Sequence, residues 1–289
     1  MNEKVKVASL SIASNTTLII IKLFVGIFTG SVSIISEAIH STMDLAAAII
    51  AFFSVKVSDT PPDKRHQYGH GKIENISGVI EAILIFIASI WIIYEAVNKI
   101  QSKDKIESIG LGSLVMLISA GVNIIVSRKL YKVAKKTNSI ALEADALHLK
   151  ADVYTSLGVA FGLGLIWLTG YQILDPIVAI LVAIFILYES FQLLKKAFSP
   201  LLDSAMDESD LNTINDYFKQ RNIKVHDLRT RLSGKYKFAE LHMVMSGHKT
   251  LEEVHEVCDE VEKDLENRIS DFQLTIHPEP ESKEENQKV

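Results

Sequence analysis

Two short patterns in this chain pair an imidazole with a carboxylate inside otherwise apolar sequence. In Ile34–Ser54, IISEAIHSTMDLAAAIIAFFS, the pair is His40 and Asp44; in Ala144–Gly164, ADALHLKADVYTSLGVAFGLG, it is His148 and Asp152. Residues four apart on a helix share one face, one turn apart. Two such helices side by side would offer two nitrogens and two oxygens to one divalent metal. Zinc suits that set: softer metals recruit thiolate or thioether, and magnesium takes oxygen alone. Met43 falls between His40 and Asp44 but on another face. Ionisable groups are expensive in lipid, so residues of this kind inside apolar helices are candidates for function.

The elements that must carry these pairs follow from the distribution of charge. The chain has 289 residues, 48% hydrophobic and 22% charged, and its mean hydropathy is +0.22. Both figures fit only if the charge is segregated, and it is: the first two thirds are apolar with short charged breaks. A span needs about 20 mostly apolar residues. Candidates are Val7–Phe28, Ile34–Val55, Ile76–Val97, Ile109–Val126, Leu147–Leu168 and Pro176–Leu194. Six spans put both termini on one side. Lys4, Lys6, Lys64, Arg65, Lys72, the Arg128–Lys136 cluster, Lys195 and Lys196 all fall on that side, which the positive-inside rule makes cytoplasmic. The first apolar stretch lacks a cleavage site and is expected to be a true span, not a signal peptide. Spans two and five then run antiparallel. If they are neighbours, His40 lies near the level of Asp152 and Asp44 near that of His148, alternating nitrogen and oxygen.

Residues 1–200 thus read as a six-helix transmembrane domain, 201–280 as a soluble domain, and 281–289 as a disordered tail. In the soluble part Leu211–Gln220 has helical periodicity. Val225–Leu232 and Phe238–Met245 alternate as half-buried strands do around Ser233-Gly234-Lys235, Leu251–Arg268 is a second amphipathic helix, and Phe272–Ile276 is a short last strand. The fold class is an α-helical membrane protein with a cytoplasmic αββαβ domain. The lone cysteine, Cys258, forms no intrachain disulfide and suits a reducing compartment. A net charge of −5 gives no sign of nucleic-acid binding.

Other clusters are more open. Asp63, His66 and His70 crowd the second loop; their spacing fits a surface metal site and equally a solvated, pH-sensitive loop. The soluble domain holds His226, His242, His248, His255 and His277, with Glu279 just beyond. His226 and His242 sit on adjacent strands and His277 ends the third, so three imidazoles could converge on one sheet edge. Cys258 reads as a small buried residue. Glu37 reads as a polar group near the outer mouth, and Glu81 as either a helix-interface hydrogen bond or a metal contact. Lys22 is expected to snorkel to the outer surface, and Lys150, facing away from His148, to be structural.

Together these residues resemble the cation diffusion facilitators, the family of bacterial inner-membrane zinc exporters, over nearly the whole chain. The resemblance implies six spans, cytoplasmic termini and a metallochaperone-like carboxy-terminal domain. It implies that His40, Asp44, His148 and Asp152 form the transport site. The stretch HQYGHGKIE resembles the family's loop motif, with Asp63, His66 and His70 as surface zinc ligands. His226 (within VHDLRTR), His242, His255, His277 and Glu279 fall where the family keeps cytoplasmic metal sites, some bridging two subunits of a homodimer; Asp is commoner than Glu at the last position. Lys72 and Asp203 match a pair that ties the two domains together in some members. His in place of Asp at position 40 is associated with narrower selectivity for zinc over cadmium and iron, and the all-Asp set of manganese carriers is absent.

The chemistry suggests an energy source. Imidazole must be neutral to bind metal, and it titrates near cytoplasmic pH. Zinc and protons would compete for His40 and His148, and alternating access around a midplane site gives zinc/proton antiport across the bilayer. Two other readings are an intramembrane metalloenzyme and a membrane-tethered zinc sensor. The first lacks an open ligand position, a His-Glu-x-x-His pattern and a nearby nucleophile; the second leaves the intramembrane pairs without a task.

Overall fold

The computed structural model describes residues 2–29, 32–102, 111–171 and 173–281, and a few helical side chains, those of Glu37 and His40 among them, lie outside that description. The expected start of span four at Ile109 and the expected tail beyond residue 281 also lie outside it. The chain divides into two compact units, Met1–Phe198 and Ser199–Val289.

Among the described residues the first unit holds six long helices: α1 Glu3–Thr29, α2 Val32–Ser58, α3 Lys72–Ser102, α4 Leu111–Thr137, α5 Ile140–Thr169 and α6 Leu174–Phe198. Among the described residues α1, α3 and α6 are long and apolar enough, by length and composition, to cross a membrane. Small residues let the helices approach closely. Ala8, Ala134, Ala141 and Ala146 are buried among Val55, Leu130, Leu142 and Leu149, which joins α1, α2, α4 and α5. At Gly78 a Cβ would stand 2.5 Å from Ile140 Cγ2 and 3.1 Å from Ala197 Cβ, so α3 meets the start of α5 and the end of α6 almost backbone to side chain. Phe24, Ile27, Trp91, Tyr94, Leu181 and Phe185 are exposed, the outward apolar surface that lipid would cover.

A polar network links α1, α2, α3 and α5 at one end of the bundle. Lys4 Nζ lies 2.8 Å from both Glu74 Oε1 and Asp59 Oδ1. Ser58 donates to Glu74 Oε1 at 2.6 Å, and Ser139 donates to Glu74 Oε2. Ser139 also receives the backbone N–H of Leu142 at 3.4 Å, and Asn138 before it takes the left-handed conformation that ends α4. The phase of α5, and with it the direction of Asp145, His148 and Asp152, is set at this corner. Lys22 does not snorkel: it is buried, and its Nζ donates to Ser41 Oγ on α2 at 2.8 Å. A buried partner on the neighbouring helix offsets the desolvation that would otherwise drive the ammonium outward.

The second unit opens with a short 3-10 turn, Ser199–Leu202, followed by α7 Glu208–Gln220, β1 Val225–Ser233, β2 Tyr236–Met245, α8 Leu251–Arg268 and β3 Phe272–Pro280. The sheet order is β1-β2-β3, with β1 antiparallel and β3 parallel to β2. Gly234, at φ +61°, is the first residue of a two-residue hairpin turn, where glycine avoids the Cβ penalty. Helix α8 begins with a capping box in which Thr250 and Glu253 satisfy each other's backbone N–H groups. It then forms the crossover that a parallel pair requires. Leu241 and Met243 of β2 point into a core with Ile214, Tyr217, Phe218, Val261 and Leu265. His242, between them, therefore faces the other side of the sheet. The last strand runs past Ile276, where the alternation of apolar residues ends, to Pro280. An edge strand tolerates proline, and Pro278 and Pro280, two apart, can both turn their missing donors outward.

Candidate metal centres

Within the helical unit, ligand atoms of Asp44, His148 and Asp152 lie within 4.8 Å of one another. His148 Nε2 stands 3.0 Å from Asp44 Oδ1, so α2 and α5 meet at the level that antiparallel packing predicts. Asp44 is buried, and its backbone carbonyl accepts from Asn15 Nδ2 of α1 at 3.4 Å. The side chain of His40, the fourth residue expected in this group, lies outside the described residues. Lys150, two residues from His148, points away and pairs with Glu189 at 4.0 Å.

Between α2 and α3 the loop brings Asp63, His66 and His70 into a second group. Asp63 Oδ1 accepts the backbone N–H groups of Arg65 at 2.7 Å and His66 at 2.6 Å, an Asx turn that aims its carboxylate at both rings. Those N–H groups, His66 first, hold the Asp63 carboxyl below the usual carboxylate range. His66 Nδ1 is 3.4 Å from Asp63 Oδ1, and His70 Nε2 is 3.5 Å from Asp63 Oδ2.

In the second unit strand register aligns three histidines. His226 pairs with His242 across β1 and β2, and His242 pairs with His277 across β2 and β3. Residues directly opposite share a face, so the three imidazoles form one row on the side away from the helices. Their ring centroids are 5.1 and 4.8 Å apart in turn. Glu279 closes the row. His242 Nδ1 and His277 Nε2 lie 3.3 and 3.5 Å from its Oε1, and His226 Nε2 lies 3.4 Å from its Oε2. His255 is elsewhere: it is exposed on α8 beside Asp259 at 3.5 Å. Burial pushes the Cys258 thiol up, away from the thiolate a metal would need.

These separations have a common meaning. Ligands at about 2.0–2.2 Å from a tetrahedral zinc are roughly 3.3–3.6 Å from one another. The nitrogen–oxygen distances around Asp63 and Glu279 fall in that interval, longer than a good hydrogen bond. The two oxygens of Glu279 face different imidazoles, so one carboxylate could bridge two ions.

Two residues near these groups escape a reading based on His-x-x-x-Asp spacing. Asp145, fully buried, lies three before His148 on the same face of α5; the i, i+3, i+7 series Asp145-His148-Asp152 was the available signal. Asp227 joins His226 and His242 in a ligand group because a register shift between His226 and Arg229, with Asp227 at φ +52°, re-aims its side chain. Among the described residues Glu81 makes no interhelical hydrogen bond: it accepts from Ser77 on its own helix at 3.2 Å.

A helical membrane bundle with a buried Asp and half-buried His and Asp brought together inside it, joined to a small α/β unit with a histidine row, is the build of a metal-ion transporter. Residues 8–202 match the cation efflux transmembrane domain, and residues 207–281 match the cation efflux protein cytoplasmic domain. The chain belongs to the cation diffusion facilitator family, whose members are transporters, not enzymes. It is 35% identical over 276 residues to the uncharacterized transporter sll1263 of Synechocystis, covering 94% of this chain and 89% of that one. It is 32% identical over 279 residues to the cation-efflux pump FieF of Yersinia enterocolitica, covering 96% and 93%. A solved structure of CzrB in its Zn form is 36% identical, with a TM-score of 0.26, and covers 28% of this chain and 94% of that one.

Proposed function

We propose that this cation efflux transporter exports zinc from the cytoplasm in exchange for protons, by alternating access around a site formed by His40, Asp44, His148 and Asp152. The observation that carries this reading is the meeting of Asp44, His148 and Asp152 inside a helical bundle. Imidazole with carboxylate favours zinc over manganese or magnesium. A neutral imidazole binds metal and a protonated one releases it, which links cargo to proton. The ion pairs of Lys4 with Asp59 and Glu74 tie α1 to the end of α2 and the start of α3, contacts that a cycle of alternating access would loosen and remake.

The remaining sites take supporting roles. Asp63, His66 and His70 form a surface zinc site. His226, His242, His277 and Glu279 bind cytoplasmic zinc as a regulatory centre, and exposed His255 completes it across a homodimer. Lys72 and Asp203 tie the membrane and soluble domains. The protein sits in the inner membrane with both termini in the cytoplasm.

Zinc uptake into proteoliposomes under a fixed pH gradient tests the reading, with cadmium, manganese and iron run in parallel. The expected result is zinc flux with proton counterflow in the native protein and none in Asp44→Ala. Zinc flux indifferent to the pH gradient would overturn antiport, and flux retained by Asp44→Ala would overturn the site. Absence of flux in both would favour a zinc sensor.

A further inference from the structure

Between the Lys4–Glu74 end of the bundle and the Asp44–His148–Asp152 group lie two carboxylates that the transport chemistry leaves unused. Glu81 on α3 and Asp145 on α5 are each 0% exposed. Each has one oxygen satisfied by a serine: Ser77 donates to Glu81 Oε1 at 3.2 Å, and Ser11 of α1 donates to Asp145 Oδ1 at 3.1 Å. The other oxygens, Glu81 Oε2 and Asp145 Oδ2, are buried without a hydrogen-bond partner. Helices α3 and α5 pack together at this level: Ala82, next to Glu81, and Ala144, next to Asp145, are buried in one cluster.

Bare carboxylate oxygens are rare in a protein interior because desolvation without compensation is expensive. A proton or a cation is the remedy, and among the described residues no lysine or arginine supplies a cation. Lys4 is taken up by Glu74 and Asp59, Lys22 donates to Ser41, and His148 faces Asp44. The placement is also directional. On α3, Glu74, Ser77 and Glu81 follow one another on one face, from the Lys4–Glu74 pair inward. On α5, Asp145 lies about 4.5 Å along the axis from His148, toward the same end.

We propose that Glu81 and Asp145 form a second cation-binding station, where a divalent metal ion pauses between the end of the bundle and the Asp44–His148–Asp152 group. Its donors are all oxygen, two carboxylates with the hydroxyls of Ser11 and Ser77 beside them. Such a set holds zinc more loosely than imidazole with carboxylate does, so the ion moves on toward His148. The station's role in transport rests on the function proposed above; its capacity to bind a cation does not.

The test titrates Mn(II), a paramagnetic ion at home among oxygen donors, into the full-length detergent-solubilised protein and counts bound ions by electron paramagnetic resonance. Glu81→Gln with Asp145→Asn keeps shape and removes charge. The expected result is one fewer Mn(II) per chain than in the native protein, with Asp44→Ala retaining that ion. In proteoliposomes, the zinc concentration for half-maximal flux rises several-fold. An unchanged Mn(II) count would overturn the station, leaving two carboxyls that hold protons only. Native flux in Asp44→Ala with the Mn(II) difference intact would instead overturn the transport reading alone. If the double variant elutes as an aggregate, Glu81→Gln alone is titrated against the same two outcomes.

Discussion

Glu279 is the sharpest place to test the histidine row. Its carboxylate stands 3.3–3.5 Å from ring nitrogens of His226, His242 and His277, so replacing it with alanine removes the one group common to all three contacts. Even residues that only support a metal ligand change affinity by about 10–100-fold, and a ligand itself should reach the upper end of that range. For the soluble unit at a zinc concentration about 100 times the native Kd, binding stabilises the fold by about 2.7 kcal/mol. A Kd weakened about 100-fold leaves about 0.4 kcal/mol at the same zinc concentration. In a domain of this size each kcal/mol moves Tm by about 4–8 °C, so the zinc-induced gain falls from about 11–22 °C to about 2–3 °C. Differential scanning calorimetry of Ser199–Val289 with and without zinc measures it directly. A variant that keeps the native zinc-induced gain would show that the row does not bind zinc through Glu279, and the tetrahedral reading of these distances would be wrong.

Further outcomes rest on the local structure. Thr250→Ala breaks the capping box of α8 and should destabilise the soluble unit by about 1 kcal/mol in urea unfolding. The bond from Thr250 N–H to Glu253 holds that carboxyl below its usual range. Its stabilising contribution is therefore present above the unfolded pKa and lost as pH falls through the lower folded value, so native and Glu253→Gln stabilities should converge in acid. Gly78→Ala forces a Cβ to within 2.5 Å of Ile140 Cγ2 and should destabilise the helical unit by about 1–3 kcal/mol. Gly121→Ala, with nothing within 4 Å, should be neutral or slightly stabilising. Equal thermal stability of these two variants in detergent would refute the close approach at Gly78.

The sequence by itself determined which residues could do the chemistry and which elements carry them. A four-residue spacing places His40 with Asp44 and His148 with Asp152 because helical periodicity is local. Alternation and turn residues outlined the soluble domain for the same reason, and the family resemblance rests on motifs that are short and contiguous. What only the tertiary structure decided depends on atoms far apart in the chain. Asp44 meets His148 across 104 positions because α2 and α5 pack at that level. The three histidines line up because the register of two strand pairs puts them opposite one another, which no single strand encodes. Lys22 finds Ser41 on a neighbouring helix, so its expected path to the surface fails. Asp145 and Glu81 become anomalous only when burial and missing partners are seen together. A carboxylate in a sequence is ordinary, and what makes it expensive is the packing that removes its water.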